Sequence, residues 1–170
     1  MRIETVDSIV IHAPREKVYA LAQKVEEYGR YAPQYKKYEV VERDERHIVI
    51  RRWAKTILPF SWTSEGTFAP PHTIRFVQTD GRLRGMETLW QFEPVEEGTQ
   101  VRIVHRFEVN IPLIARWVGY GFLYRFFIRP IAQALLRNLK ADLETSADAT
   151  SEGPRDLKEK GGPNHGTTVT

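Results

Sequence analysis

The chain opens with a run rich in β-branched residues, 3–12, that stops at Ala13-Pro14; it reads as a strand ended by the residue before a proline. The period then changes. Val18, Leu21, Ala22 and Val25 recur at the three-and-four spacing of one buried helix face, Pro14 suits a first helical turn, and Glu16 lies near the positive N-terminus. The pattern predicts a helix ending near Tyr28-Gly29, followed by a tyrosine-rich connection through Tyr31, Pro33, Tyr35 and Tyr38. From there short apolar runs predict strands over 38–43, 47–58, 61–68, 73–78, 83–94 and 99–109. They are separated by Asp44-Glu45, Pro59, Pro70-Pro71, Asp80-Gly81 and Glu97-Gly98. Strands in direct succession with short connections predict an antiparallel meander.

A final helix is predicted from about 111 to 145, with a kink or break where Gly119, Gly121 and Pro130 interrupt it. At about 100° per residue, Ile114, Trp117, Val118, Gly121, Tyr124, Ile128, Ile131, Leu135, Leu139 and Leu143 form one apolar stripe. Phe122, Leu123, Phe126 and Phe127 fall off that stripe, beside Arg116, Arg125 and Arg129, and no acidic residue stands between Glu108 and Asp142. Arginines among off-stripe aromatics suit an interfacial contact with anionic headgroups, while the arginines, glycines and proline exclude a membrane span. A homodimer covering the aromatics and inward packing after a helix break stay open as alternatives. Residues 146–170 are polar and Gly/Pro-rich, and predict a disordered tail behind one domain of 1–145. A curved sheet with one apolar face needs a cover, and the long last helix is the only element large enough to supply it, which leaves room for a cavity between them.

With 170 residues, 41% hydrophobic and 28% charged, the chain has the profile of one globular domain. It has no cysteine, which excludes disulfides, thiolate metal sites and a cysteine nucleophile. A net charge of +3 without a dense basic stripe argues against a nucleic-acid partner. The first residues show no signal-peptide pattern, so the expected location is cytoplasmic, with a peripheral membrane contact if the aromatic helix makes one. Nucleotide, nucleophile-elbow and metalloprotease motifs are absent, and the five histidines lack metal-ligand spacing; neither a cofactor nor a metal is expected.

The order β, α, six β, long α resembles the START-like or SRPBCC superfamily. The resemblance spans about residues 1–145 and rests on IVIHAPREKVYALAQKVEEY, on Tyr31-Ala32-Pro33 leading into Tyr38-Glu39-Val40-Val41, on LWQFEP, on EEGTQVRIVHRFEV and on ALLRNLKADLE. It is most similar to the polyketide cyclase/dehydrase and coenzyme Q-binding branch. The resemblance implies an α+β helix-grip fold, in which a curved seven-stranded antiparallel sheet wraps a long C-terminal helix around an internal cavity. It also implies a hydrophobic ligand, whether lipid, isoprenoid quinone or polyketide-like.

On the strand 99–109, alternation puts Val101, Ile103, His105, Phe107 and Val109 on one face, so His105 is a polar residue on an apolar side. Cyclase-type relatives carry a cavity-facing polar group at the matching place, which makes His105 the candidate ligand-contacting or acid–base residue; a satisfied core histidine is the plainer alternative. Met86, Thr88, Trp90 and Phe92 share one parity and resemble the family's aromatic cavity wall, with Trp62, Ile103, Phe107 and Trp117 as further lining candidates. Ser64, Tyr31 and Tyr35 are weaker ones. Arg51, Arg52 and Lys55 read as a solvated face, with Arg52 on the opposite parity from the other two and a cavity arginine that stabilises an enolate or grips a carboxylate or phosphate as the alternative; the family's pocket arginine finds no match near Leu58-Pro59-Phe60. Binding and transfer of a hydrophobic molecule, with Phe122, Arg125, Phe126, Phe127 and Arg129 meeting a membrane or partner, is the leading expectation. A polyketide aromatase/cyclase using His105, and a protein-docking module, are the alternatives.

Overall fold

A computed structural model describes residues 2–55, 61–108, 121–122 and 124–151. Trp117, Arg116, Leu123 and the start of the expected last helix lie outside the described residues, as does the sequence beyond Ser151. Strand β1 (Arg2–Ile11) is followed by α1 (Arg15–Ala22), a 3₁₀ turn (Val25–Glu27) and α2 (Tyr28–Tyr31). Six strands come next: β2 (Tyr35–Arg43), β3 (His47–Ala54), β4 (Ser61–Ala69), β5 (Thr73–Gln78), β6 (Glu87–Val95) and β7 (Gly98–Glu108), with a 3₁₀ turn (Gly81–Leu83) before β6. A π-helical turn (Tyr124–Ile128) leads into the long helix α3 (Arg129–Ser151). The seven strands form one antiparallel sheet in the order β1-β7-β6-β5-β4-β3-β2, the meander closed by the first strand pairing with the last. With α3 against its concave face, this is the helix-grip fold implied by the resemblance.

The first helix is shorter than its apolar spacing predicts. The chain tightens into the 3₁₀ turn after Ala22, which brings both Val25 and Tyr28 into the core. The Tyr28 hydroxyl donates to the Ala22 carbonyl at 2.6 Å, satisfying an acceptor left free where α1 stops. Strand β2 begins earlier than expected, at Tyr35, because irregular pairing between Tyr35 and Lys37 admits one extra residue. Tyr35 and Tyr38, three apart, would face opposite sides of a regular strand; past the bulge their rings meet at 5.6 Å.

The break expected at Pro130 is a change of helix type. A π turn fits one extra residue into the coil and ends just before α3, whose second residue is Pro130, where a missing N–H costs little. Ile128, Ile131, Leu135 and Leu139 of the predicted stripe are buried, whereas Gly121 is exposed. The helix backbone runs past the boundary expected at 145, to Ser151.

Candidate functional site

Antiparallel register assembles the floor of a cavity between the sheet and α3. One row crosses five strands: His105 stands opposite Thr88, Thr88 opposite Phe76, Phe76 opposite Gly66, and Gly66 opposite Ile48. Gly66 is required by packing, since a Cβ there would lie 2.6 Å from both Ile48 Cγ2 and Phe76 Cε1. The neighbouring rows pair Trp90 with Ile103, Ser64 with Gln78, and Arg52 with Trp62. At the sheet's end Leu83 and Met86 enter from the turn after β5, whose Gly81 adopts φ +72°, a left-handed conformation that side chains resist.

The cavity has a volume of about 60 Å³. Its polar lining comes from the sheet and the short helix beside it: Tyr28, Tyr35, Arg52, Gln78, Thr88 and His105. Its roof is apolar, made of Phe127 and Ile128 from the π turn and Ile131, Ala132 and Leu135 from α3. Aromatic contacts frame it. Trp90 stacks between Tyr28 at 5.4 Å and Phe92 at 6.3 Å, and Trp62 meets Phe127 edge-on at 5.9 Å.

Arg52 is 5% exposed and makes the site electrostatically unusual. Its Nη1 donates to Ser64 Oγ at 2.8 Å, and the Ser64 hydroxyl in turn donates to Gln78 Oε1, so the three form a directed chain. Nη2 reaches the Tyr38 hydroxyl only at 3.5 Å, and the guanidinium sits 5.3 Å from the ring centroids of both Tyr38 and Phe76. Its Nε has no hydrogen-bond partner, and among the described residues no carboxylate lies within ion-pair distance of it. Burial is the largest influence on the Arg52 guanidinium and opposes its charge, while the surrounding phenols of Tyr38, Tyr35 and Tyr28 favour it, and the net direction is upward. Burial pushes the Tyr35 phenol up to about 12, so it stays a neutral donor.

His105 is 7% exposed, and desolvation pushes its imidazole down to about 4; it is neutral at physiological pH. Its Nδ1 finds no hydrogen-bond partner, unlike a satisfied core histidine.

Of the lining candidates named from sequence, Trp62, Met86, Thr88, Trp90, Ile103 and His105 all line this cavity. Phe92 backs the wall, edge-on to Tyr19 at 5.2 Å, and Phe107 packs in a neighbouring cluster with Trp62 and Met86. Trp117 is outside the described residues. Ser64 supports Arg52, and Tyr31 donates to Asp142 at 2.5 Å away from the cavity. Of the residues assigned to an outward contact, Phe122, Arg125, Phe126 and Arg129 are exposed, while Phe127 turns inward to the roof. Arg52, expected on a solvated face, is instead buried in the cavity lining, the placement of the alternative cavity arginine, whereas Gln78 and Tyr28 were not named from the sequence as lining residues. A signal for Arg52 was present: it shares parity with Ile48, Ile50 and Ala54, all fully buried, which is the same anomaly that singled out His105.

The family profile described as "Polyketide cyclase / dehydrase and lipid transport" matches residues 11–143. The chain belongs to that family. Among solved structures it is similar to the Zhui aromatase/cyclase from Streptomyces sp. R1128, at 18% identity and a TM-score of 0.73, covering 88% of this chain and 98% of that one. A protein of Thermus thermophilus is 25% identical with a TM-score of 0.64, over 86% of this chain and 99% of the other. The di-domain aromatase/cyclase StfQ of the steffimycin biosynthetic pathway matches at 18% identity and a TM-score of 0.73, over 86% of this chain and 52% of that chain. The family places the chain in the START-like superfamily and supports a role in hydrophobic-ligand binding or polyketide cyclisation, and the solved structures share its fold.

Proposed function

We propose that this member of the polyketide cyclase/dehydrase and lipid transport family binds a largely apolar, polyketide-like or acyl molecule by an acidic or polarised oxygen. The observation that carries this reading is the buried Arg52, charged, with a free Nε and no acidic partner among the described residues. Keeping such a cation out of water costs several kcal/mol unless something compensates it. A carboxylate, enol or phenol oxygen supplies that compensation, through charge-assisted hydrogen bonds worth roughly 1.5–3 kcal/mol each. The aromatic walls supply the rest, since about 300 Å² of buried apolar area is worth roughly 7 kcal/mol before association costs. Of the ligand classes expected from sequence, Arg52 favours the polyketide-like one and acidic acyl chains over a plain hydrocarbon lipid.

At about 60 Å³ the cavity is far smaller than the roughly 300–1,000 Å³ of pockets that enclose drug-sized ligands. Ligand entry therefore requires the roof to move away from the floor, with Phe127 and Ile128 displaced first because they sit on a single π turn.

The cyclase reading draws on the free Nδ1 of His105 in the same cavity. Held neutral down to about pH 4, that imidazole is a weak proton acceptor near neutrality, although it can hydrogen-bond a carbonyl or enol. Binding is accordingly placed ahead of turnover. Mass spectrometry of an organic extract of the purified protein, set against a mock purification and the Arg52→Met variant, tests the reading. The expected result is an acidic or enolic lipophile that co-purifies with wild type and is depleted in the variant. A neutral lipid retained equally by both proteins contradicts it.

A further inference from the structure

The π turn that begins the cavity roof, together with Phe122 just before it, carries the most exposed aromatic rings among the described residues. Phe122 and Phe126 are 66% and 65% exposed, and their rings meet at 4.7 Å, so they form one apolar projection. Phe127, the next residue, points the opposite way into the cavity. Arg125 is exposed between the two phenylalanines, with no acidic partner among the described residues. Arg129, 44% exposed, begins α3 and stands 3.7 Å from Asp7, whose carboxylate is buried and shows little negative charge to the outside. Along the sequence no acidic residue interrupts 109–141, which holds Arg116, Arg125, Arg129, Arg137 and Lys140.

We propose that this face docks the protein peripherally on an anionic lipid bilayer, with Phe122 and Phe126 in the acyl boundary and Arg125 and Arg129 on headgroup phosphates. Phenylalanines at the tip with arginines behind them match the depth profile of such an interface, apolar inside and anionic at the surface. A second copy of the chain fits less well. A two-fold contact sets the same patch against itself, and a patch with cations and no exposed acid then opposes like charges. Among the described residues no helix is long and apolar enough to cross a membrane, so the contact is superficial. The docking stands whatever the cavity holds. It sets the bilayer beside the roof rather than the sheet.

The test is co-sedimentation of the full chain with vesicles of phosphatidylcholine, with and without phosphatidylglycerol, at low and high salt. Binding is expected to the anionic vesicles, at least tenfold weaker to phosphatidylcholine alone, and reduced by salt. The double variant Phe122→Ser with Phe126→Ser should lose at least tenfold in partitioning. Arg125→Gln should lose about fivefold. Both variants should keep the wild-type melting temperature, because the replaced side chains are exposed. A wild-type protein that never sediments with anionic vesicles overturns the proposal, as does a double variant that sediments undiminished. A wild-type dimer that the double variant converts to monomer, seen by analytical ultracentrifugation, also overturns it by assigning the patch to self-association.

Discussion

The two sides of the cavity are built on different physics. The floor is a hydrogen-bonded ladder in which each side chain's place is set by register, and it carries the polar groups that line the space from Arg52 to His105, with Tyr28 added from the short helix beside it. The roof is one helix face entered through a π turn; it contributes only apolar side chains and is held by packing. Such a division separates recognition from access. Under the proposed function, the polar groups that hold a ligand oxygen stand where the backbone cannot slip, whereas the surface that yields makes no directional bonds to the ligand.

The sharpest way to break this contrast is in the floor. Trp90 is 2% exposed and stacked on both sides, so Trp90→Ala should cost about 3–5 kcal/mol in denaturant unfolding. A loss under about 1 kcal/mol would mean that the floor yields as readily as the roof.

The next effect is a pH dependence. His105 is pushed down to about 4 in the folded protein, against 6.5 in an unfolded chain, so below pH 6.5 the unfolded state takes up a proton that the folded state refuses. Stability is then complete above about pH 6.5 and falls as pH drops toward 4, by up to about 3 kcal/mol. Unfolding free energies measured across that range should show a shallower slope in His105→Gln, and an unchanged slope would place the imidazole in contact with water.

Arg52→Met sharpens the recognition side. Replacing a buried cation that lacks an acidic partner among the described residues with an apolar side chain of similar length should stabilise the empty protein by about 1–2 kcal/mol while weakening ligand binding. A destabilised variant would show that the guanidinium serves the fold rather than the ligand. On the roof, Phe127→Ala should cost about 1 kcal/mol, because the ring is only partly buried, and should speed ligand exchange. Exchange slower than wild type in stopped-flow measurements would remove Phe127 from the entry path.

Much of the floor was legible in the sequence, because a strand's period of two states directly which residues share a face. That is how Thr88, Trp90, Ile103 and His105 were placed together. Arg52 obeyed the same rule, but a cation beside Arg51 and near Lys55 reads more readily as part of a solvated face than as a cavity arginine, even though it shares its parity with Ile48 and Ile50. Tyr35 and Phe127 were harder for a different reason. A bulge turns Tyr35 to the face of Tyr38, and a π turn brings Phe127 to the face of Ile128. Each inserts one residue into a regular period, and no periodicity measured over the flanking sequence locates such an insertion. A break was expected where Gly119, Gly121 and Pro130 interrupt the helix; the change of helix type just before Pro130 fits that expectation, Gly119 lies outside the described residues, and which aromatics would turn inward was not legible.

The central claim is that Arg52 binds an acidic oxygen on an apolar ligand. Isothermal titration calorimetry with a naphthoic acid and its methyl ester, on wild type and Arg52→Met, separates that charge from apolar burial. The account predicts that wild type binds the acid at least tenfold tighter, about 1.4 kcal/mol, and that the preference disappears in the variant. Equal affinities for acid and ester in wild type, or a preference that survives in Arg52→Met, would contradict it.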